Sequence, residues 1–181
     1  NFDVTPDIIT FAKGVNSGYI PLGGCIVKNE IAHFFDDKYL SCGLTYSGHP
    51  LACAAGVACQ EFYLKNDIES HVQKVGKHLG KKLEELKAKH KSIGDVRYIG
   101  LFSGIELVKD RETREPLVPW GQDPKGIMGA IVKELKSRGF FTYSHENVII
   151  VAPPLIITEA QIDEELEKLD DVLSIVDEKY I

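Results

Sequence analysis

The segment at positions 6–24 brings a single lysine to the end of a short apolar run and then continues as a glycine-rich loop. Ile8, Ile9 and Phe11 are β-branched or aromatic and are flanked by a proline and a glycine, which predicts a buried strand. Lys13 then follows the carboxyl end of that strand, the edge at which open α/β sheets bind their ligands. Burial there disfavours a charged ammonium, and a neutral amine can attack a carbonyl carbon to form a Schiff base. A solvated lysine capping a core strand is the alternative that spacing alone leaves open.

A second loop, at positions 43–48, leads into a helix that we expect to begin at Pro50, where the missing proline N–H costs nothing. The Thr45 hydroxyl and the backbone N–H groups before that helix suit a phosphate, because the helix dipole and free amides favour an anion. An ordinary threonine in a helix-entry loop is the other interpretation.

Length and composition limit the class of protein. The 181 residues suit one domain or a domain and a half, and the net charge of −6 argues against a nucleic-acid partner. Four cysteines without C-x-x-C spacing indicate reduced thiols in a cytoplasmic chain, and no apolar run is long enough for a membrane span. The sequence opens at Asn1 with neither a methionine nor a signal-peptide pattern, so we expect a part of a longer protein.

The remaining pattern alternates helices with short strands. Strands are predicted at 1–13, 23–27, 96–108 (one or two strands) and 148–151, and helices at 30–35, 51–64 and 127–137. The alanine-rich helix at 51–64 is apolar on most sides and is expected to be largely buried. The order helix, strands, helix, strand, helix after residue 66 predicts an α+β unit.

Two further segments carry apolar residues at steps of three and four, which predicts amphipathic helices. Thr158 and Gln161 form a capping box at the start of the second, and Gly139 is predicted to cap the 127–137 helix in the left-handed conformation. The apolar positions are Ile68, Val72, Val75, Leu79, Leu83 and Leu86 in the first helix and Ile162, Leu166, Leu169, Leu173 and Val176 in the second.

Other polar residues are weaker candidates for a site. His49 and Cys53 lie four residues apart, but two ligands do not make a metal site, so we predict none. Arg97 is predicted to pair with a carboxylate such as Glu106 or Asp95.

Several charged or polar residues are predicted to lie on solvated helix faces. His71 and His78 are two turns apart on the outer face of the first amphipathic helix. The acidic pairs at 164–165 and 170–171 are assigned to the solvated face of the last helix.

Several motifs in one order resemble the class III aminotransferases, pyridoxal-phosphate (PLP) enzymes of fold type I. They are Pro6-Asp7-Ile8-Ile9-Thr10-Phe11-Ala12-Lys13-Gly14, Pro21-Leu22-Gly23-Gly24, the run from Gly43 to Ala55, Gly94-Asp95-Val96-Arg97, Gly104-Ile105-Glu106-Leu107-Val108 and Ala152-Pro153-Pro154. The resemblance implies an α/β fold: residues 1–65 as part of the large PLP-binding domain, followed by residues 66–181 as a small α+β domain.

The resemblance also assigns site residues. Lys13 would carry the cofactor through a Schiff base and act as general base and acid. Thr45 and the backbone N–H of Leu44 would bind the phosphate of the neighbouring subunit's cofactor, which makes the active site a property of a homodimer. The family's N-terminal half, which supplies the partner of the pyridine nitrogen, has no counterpart in these 181 residues. We therefore expect the chain to be inactive alone.

The substrate is indicated mainly by the residues that are missing. Some family members bind a substrate carboxylate through an arginine where this chain has Ile150, and others through one within the segment that reads 142–144 here. Without either arginine a bidentate carboxylate clamp is not expected, which disfavours an ornithine-like donor. The run from 43 to 55 resembles the taurine and ω-amino acid group, which would use an acceptor such as pyruvate or 2-oxoglutarate; an amine donor without a carboxylate also stays open.

Two alternatives come from other functional classes. The chain could be a non-catalytic paralogue that uses the fold for dimerisation or binding, although such a protein would need neither Lys13 nor Thr45. It could also be a PLP aminomutase or racemase, because one fold supports many reactions.

Overall fold

The computed structural model describes residues 2–124 and 126–181, and the chain forms two compact units, Asn1–Asp67 (unit 1) and Ile68–Ile181 (unit 2). Within these described ranges, no helix combines the length and the apolar character needed to cross a bilayer. The assignment of residues 1–65 and 66–181 to a large and a small domain of the family stays a prediction.

Unit 1 is built from two short strands and two helices. The first strand is shorter than predicted because the chain turns at Lys13, and it pairs antiparallel with the second, Phe11 opposite Gly24. The predicted helix beginning at Pro50 is confirmed. The elements are β1 (Ile8–Phe11), a 3₁₀ turn (Lys13–Asn16), β2 (Gly24–Val27), α1 (Asn29–His33) and α2 (Pro50–Lys65).

The burial predicted for unit 1 is wrong within the described residues. Ile8 and Ile9 are 54% and 45% exposed, and only Ala52 and Gly56 of α2 are buried. Apolar composition marks a surface that prefers to leave water, but burial also requires an element to cover it. The 67 residues of unit 1 do not supply that cover.

Unit 2 is an α+β unit, as predicted. Its antiparallel sheet has the order β3-β4-β7-β6, with β5 paired to β4. The predicted strand pair around residue 100 is confirmed as β3 and β4. The elements are α3 (Ile68–Lys89), β3 (Ile93–Ile99), β4 (Phe102–Asp110), β5 (Glu115–Pro116), α4 (Ile127–Ser137), β6 (Tyr143–His145), β7 (Val148–Val151) and α5 (Glu159–Tyr180).

The two long helices α3 and α5 bury the faces that their periodicity predicts. They pack against each other, and α3 also lies against β3 while α4 packs on α5. The buried residues of the two helices join those of β4 and β7 in one core. In α3 the fully buried members of the predicted set are Ile68, Val75, Leu79 and Leu83, and in α5 all five predicted residues are buried.

Two predicted helix ends are confirmed. The Thr158 hydroxyl accepts a hydrogen bond from the Gln161 backbone N–H, and the Gln161 side chain accepts one from the Thr158 N–H, which completes the capping box. Gly139 lies beyond α4 with φ +86, where a left-handed conformation carries no steric penalty for glycine. The Phe140 N–H then bonds the Leu135 carbonyl at 3.0 Å.

Close packing of α3 on the sheet depends on two glycines of the helix. A Cβ at Gly76 would lie 2.6 Å from the Gly100 carbonyl oxygen, and a Cβ at Gly80 would overlap the Tyr98 ring. The helix therefore approaches β3 more closely than a helix with side chains at these positions could.

Candidate active site

Lys13 occupies the first residue of the 3₁₀ turn, immediately after β1 and Ala12. Its backbone is left-handed, with φ +50, whereas Ala12 is extended. That conformation costs an L-residue other than glycine about 1–2 kcal/mol, so the surrounding structure must hold it in place. The sequence did not indicate this strain, since nothing in the apolar pattern specifies where the strand turns.

The Lys13 side chain is exposed in unit 1. The partial desolvation that we predicted for it is therefore not provided by the described residues. In the same part of the chain no carboxylate forms an ion pair with the Lys13 ammonium. The amine is accessible and is not tied to an acidic neighbour.

The residues around Lys13, 12–20, form what we call the lysine turn. Its buried centre is Asn16, which is 1% exposed. The Asn16 amide donates to the Ile20 carbonyl at 2.6 Å, and its oxygen accepts from the Gly18 N–H at 3.2 Å. Sequence reasoning missed this residue, although an asparagine between two glycines is a known turn-forming signal.

One side of α2 contacts the lysine turn and the loop that follows it. Its residues recur at steps of three and four, so they lie on one helix face: Gly56, Cys59, Gln60 and Tyr63. The Gln60 amide donates to the Val15 carbonyl at 2.9 Å. A Cβ at Gly56 would lie 2.9 Å from Leu22 Cδ2, so the end of the glycine-rich loop rests directly on the helix.

Tyr63 makes the most extensive polar contact between α2 and the lysine turn. Its hydroxyl donates to the Gly14 carbonyl at 3.0 Å and lies 3.0 Å from the Ser17 Oγ, which is itself 3.4 Å from the Cys59 Sγ. The hydrogen bond with Ser17 lowers the pKa of Tyr63, but the Cys59 thiol and partial burial together raise that pKa above its ordinary value. Tyr63 is therefore a neutral donor at physiological pH.

The phosphate-binding candidates lie in the loop before α2. Leu44 and Thr45 are both exposed. The Leu44 N–H that we predicted for a phosphate donates to the Ser47 Oγ at 3.0 Å, and the Ser47 N–H returns a bond to the Leu44 carbonyl at 2.9 Å. Among residues 2–124 and 126–181 no hydrogen bond joins Thr45 to Lys13. The proposed role of Thr45 concerns a neighbouring subunit's cofactor and does not require such a bond.

The arginine predicted to pair with a carboxylate does so twice. Arg97 Nη1 lies 2.7 Å from Asp95 Oδ2 and 2.7 Å from Glu106 Oε2. The hydrogen bonds that Arg97 donates to Glu106 and Asp95 raise the pKa of Arg97. Burial raises the pKa of Asp95, but the hydrogen bonds that Asp95 accepts from Lys87 and Arg97 lower it further, so the net pKa of Asp95 is lowered. The four groups link β3, β4 and the end of α3, and all are partly exposed. Their role is structural.

A buried histidine that the sequence analysis overlooked ties α3 to α5. His90 is 2% exposed, and its Nδ1 lies 2.8 Å from Asp177 Oδ2 and its Nε2 2.5 Å from Asp170 Oδ1. Both ring nitrogens of His90 therefore contact carboxylate oxygens, which accept hydrogen bonds when ionised. Asp170 also pairs with Lys89, so its assignment to a solvated face was wrong. The sequence held a signal for this cluster, because Asp170 and Asp177 are seven residues apart and therefore lie on one face of α5.

The prediction that His71 and His78 are surface residues on the solvated face of α3 was also wrong. His78 Nε2 is 2.7 Å from Asp163 Oδ1, and His71 Nε2 is 2.9 Å from the Ile157 carbonyl oxygen. Both rings are half-buried and connect α3 to the start of α5. In the described ranges, no three metal-ligating side chains converge on one point.

Some family members bind a substrate carboxylate through an arginine at the position of Ile150 or within the segment 142–144. In this chain neither place holds an arginine, and the two places are neighbours in the sheet. Tyr143 of β6 pairs with Ile150 of β7, and the Thr142 hydroxyl donates to the Ile150 carbonyl. Tyr143 is 64% exposed and Ile150 is half-buried. This part of the sheet therefore presents an aromatic and an aliphatic side chain without a cation.

Comparisons with known proteins find similarity along almost the whole chain. The family model described as aminotransferase class-III matches residues 1–173. The solved structure of taurine:2-oxoglutarate aminotransferase from Bifidobacterium kashiwanohense, in complex with PLP and glutamate, aligns with a TM-score of 0.93 and 50% identity. The alignment covers 99% of this chain and 40% of that one.

Two curated relatives are similar over nearly the same span. The taurine–pyruvate aminotransferase of Bilophila wadsworthia is 35% identical over 195 residues, covering 99% of this chain and 41% of the relative. The ethanolamine-phosphate phospho-lyase homolog 1 of Caenorhabditis elegans is 36% identical over 176 residues, covering 94% and 36%. The chain thus spans 36% to 41% of the length of these relatives.

The fold is therefore that of the PLP-dependent transaminases of fold type I, as the sequence predicted. More specifically, the chain belongs to the class III aminotransferase family, whose members depend on PLP.

Proposed function

We propose that this protein catalyses transamination, passing the amino group of taurine, an ω-amino acid or a related amine to a 2-oxo acid such as pyruvate or 2-oxoglutarate. The observation that carries the proposal is Lys13, an accessible amine on a strained turn in a chain of the class III family. Strained backbone at a single reactive residue is typical of functional sites.

The residues present fit a PLP cofactor. Lys13 offers a primary amine without a competing carboxylate, as an aldehyde-binding lysine requires, and Thr45 offers an exposed hydroxyl before a helix of 16 residues. When bound, PLP supplies the electron sink that stabilises a carbanion at the substrate carbon. We assign Lys13 as the covalent anchor and, once its amine is released, as the base and acid that moves a proton at the substrate's amine-bearing carbon. Thr45 and the Leu44 N–H would hold the phosphate.

We also propose a homodimer in which Thr45 serves the partner's cofactor. The resemblance to the class III family supports this proposal, and the exposed apolar surface of unit 1 is available for an interface. This surface includes four residues of α2 that are at least half exposed: Leu51, Val57, Phe62 and Leu64. A shared interface would cover this helix and complete the phosphate site.

The donor class follows from Tyr143 and Ile150. Their side chains cannot clamp a carboxylate as an arginine does, which disfavours an ornithine-like donor held at this strand. Taurine aminotransferases among the relatives support a sulfonate or ω-amino donor. The four free thiols support a reducing compartment, the cytoplasm.

The decisive experiment compares Lys13→Ala with a control, Lys77→Ala, which alters an exposed lysine of α3. Because the chain is expected to be inactive alone, each substitution would be made in the full-length protein, which would be loaded with PLP and assayed with taurine, β-alanine, 4-aminobutyrate and ornithine against pyruvate and 2-oxoglutarate. We expect Lys13→Ala to lose the visible band of the lysine-bound cofactor and all turnover, whereas Lys77→Ala keeps both. A normal band in Lys13→Ala would refute the assignment.

The acceptor dependence tests a second reaction class, favoured by the phospho-lyase homolog among the relatives. Transamination requires a stoichiometric 2-oxo acid, whereas an elimination or a rearrangement does not. Product formed from the donor in excess of one equivalent per bound PLP, without any 2-oxo acid, would therefore overturn the proposed transamination while leaving the PLP site intact.

A further inference from the structure

We infer that Tyr63, together with Gln60, is a positioning residue that holds the backbone of the lysine turn and so fixes the direction in which the Lys13 amine leaves the chain. The inference rests on the proposed role of Lys13. Neither residue touches the Lys13 side chain; each contacts a carbonyl one or two residues beyond it. Their action on Lys13 is therefore through the backbone.

The geometry shows a two-point attachment. Tyr63 bonds the Gly14 carbonyl at 3.0 Å and Gln60 bonds the Val15 carbonyl at 2.9 Å, so consecutive carbonyls of the turn point at one face of α2. Both contacts connect segments more than 40 residues apart in sequence, with separations of 49 and 45 residues. Within unit 1, α2 is the longest element and so provides a rigid support for the turn.

The hydrogen-bond donors can be assigned along a continuous chain of groups. The Tyr63 hydroxyl has one proton, which it donates to Gly14, so it must accept from the Ser17 hydroxyl. The Ser17 oxygen in turn can accept from the Cys59 thiol at 3.4 Å. Tyr63 thus contacts the turn at Gly14, directly after Lys13, and at Ser17. Lys13 and Ser17 are the two non-glycine residues of the turn in the left-handed region, with φ values of +50 and +54.

Energetics explain why the turn needs this attachment. Two non-glycine residues in the left-handed region are sterically strained, and an isolated turn has no contacts that offset this strain. The net stabilisation from one intramolecular hydrogen bond is comparable to the strain of one such residue. Without Tyr63 and Gln60 the turn would relax, and the Lys13 amine would sample many directions before meeting an aldehyde.

The test uses Tyr63→Phe, which keeps the ring and removes only the hydroxyl, and Gln60→Met, which keeps the length and removes the donor. Hydrogen exchange is measured on the cofactor-free protein in a peptide covering residues 12–20. Each lost hydrogen bond should accelerate exchange in this peptide about fivefold. Tyr63→Phe loses the bonds to Gly14 and Ser17, so we expect an acceleration of about 5- to 25-fold. Gln60→Met loses the bond to Val15, so we expect about fivefold. Exchange in α3 and α5 should not change.

The second readout is the affinity of the same proteins for PLP, titrated below the unfolding temperature. Because binding must now order the turn, we expect Kd to rise by factors similar to those for exchange. Tyr39→Phe is the matched control, since Tyr39 is 89% exposed and its hydroxyl forms no hydrogen bond within the described residues. It should change neither quantity.

The outcomes separate this inference from the proposed function. If Tyr63→Phe shows the visible band of the lysine-bound cofactor but unchanged exchange and unchanged affinity, the positioning role is wrong and the Lys13 assignment stands. If exchange and affinity change equally in all three variants, the effect is a general loss of stability and the inference also fails. If the wild-type protein shows no lysine-bound cofactor, the proposed function itself fails.

Discussion

The buried ion cluster around His90 gives a stability prediction that can be worked out from its contacts. Asp177 accepts two hydrogen bonds, from His90 Nδ1 at 2.8 Å and from the Ser92 backbone N–H at 2.8 Å. Both donors are almost completely buried, at 2% and 0% exposure. Asp177→Ala would leave both donors without this acceptor.

The expected cost follows from the number of bonds lost. A buried donor that loses its partner costs about 1–3 kcal/mol. The Asp177 side chain is 22% exposed, so water can partly replace it and we take the lower half of that range, about 1–2 kcal/mol per donor. Asp177→Ala should therefore destabilise the chain by about 2–4 kcal/mol. Glu178→Ala, one residue further along α5 and exposed, should change the stability by no more than about 0.5 kcal/mol.

The assay is urea denaturation of the two variants followed by circular dichroism. With a slope of about 2 kcal/mol per molar urea, the midpoint of Asp177→Ala should fall by roughly 1–2 M, whereas that of Glu178→Ala should stay close to the wild-type value. Equal midpoints for the two variants would show that the cluster contributes nothing and would refute the reasoning.

Two further predictions concern packing and pH. Gly80→Ala should destabilise the chain by about 1–3 kcal/mol because the added Cβ would overlap the Tyr98 ring. Gly129→Ala, which has open space around it in α4, should stabilise the chain by up to about 1 kcal/mol. Thermal melting of both variants tests these two predictions, and equal shifts in melting temperature would contradict them. Acid should also destabilise the chain, because hydrogen-bonded aspartates have a lowered pKa in the folded state and are stabilising only while ionised. The free energy of unfolding should be constant near neutral pH. It should fall as the pH drops from about 5 through the ordinary carboxyl pKa of 3.8 and then through the lower pKa of the same groups in the folded chain. Urea midpoints that do not change with pH below pH 4 would contradict this prediction. The carboxyl groups concerned are Asp95, Asp110, Asp163, Asp170 and Asp177.

Local features of the sequence predicted the elements of unit 2 well. The apolar spacing of α3 and α5, the Thr158 capping box and the cap at Gly139 all act over a few residues, so a short window contains the information. The pairing of Arg97 was also predictable, because its partners lie in the same hairpin.

Burial and long-range contacts were harder to predict. The apolar residues of β1 and α2 indicate a buried surface, but they do not specify which element covers it. In unit 1 most of these residues remain exposed. His90 has no unusual local context, and its two carboxylate partners follow 80 and 87 residues later. Only the i, i+7 spacing of Asp170 and Asp177 on one helix face hinted that something basic lay between them.

The candidate site was predictable in part. The position of Lys13 after a strand could be inferred, but its left-handed backbone and its attachment through Tyr63 and Gln60 could not, because each contact crosses more than 40 residues. The roles of Lys13, Leu44 and Thr45 toward a cofactor stay predictions until they are tested.

The most direct test of the Lys13 assignment is chemical mapping of the cofactor's attachment point. The PLP-loaded protein would be reduced with borohydride, which fixes a lysine-bound aldehyde permanently, then digested and analysed by mass spectrometry. We predict a single pyridoxyl-modified peptide whose label lies on Lys13. A label on any other lysine, or reduction without a labelled peptide, would contradict the account.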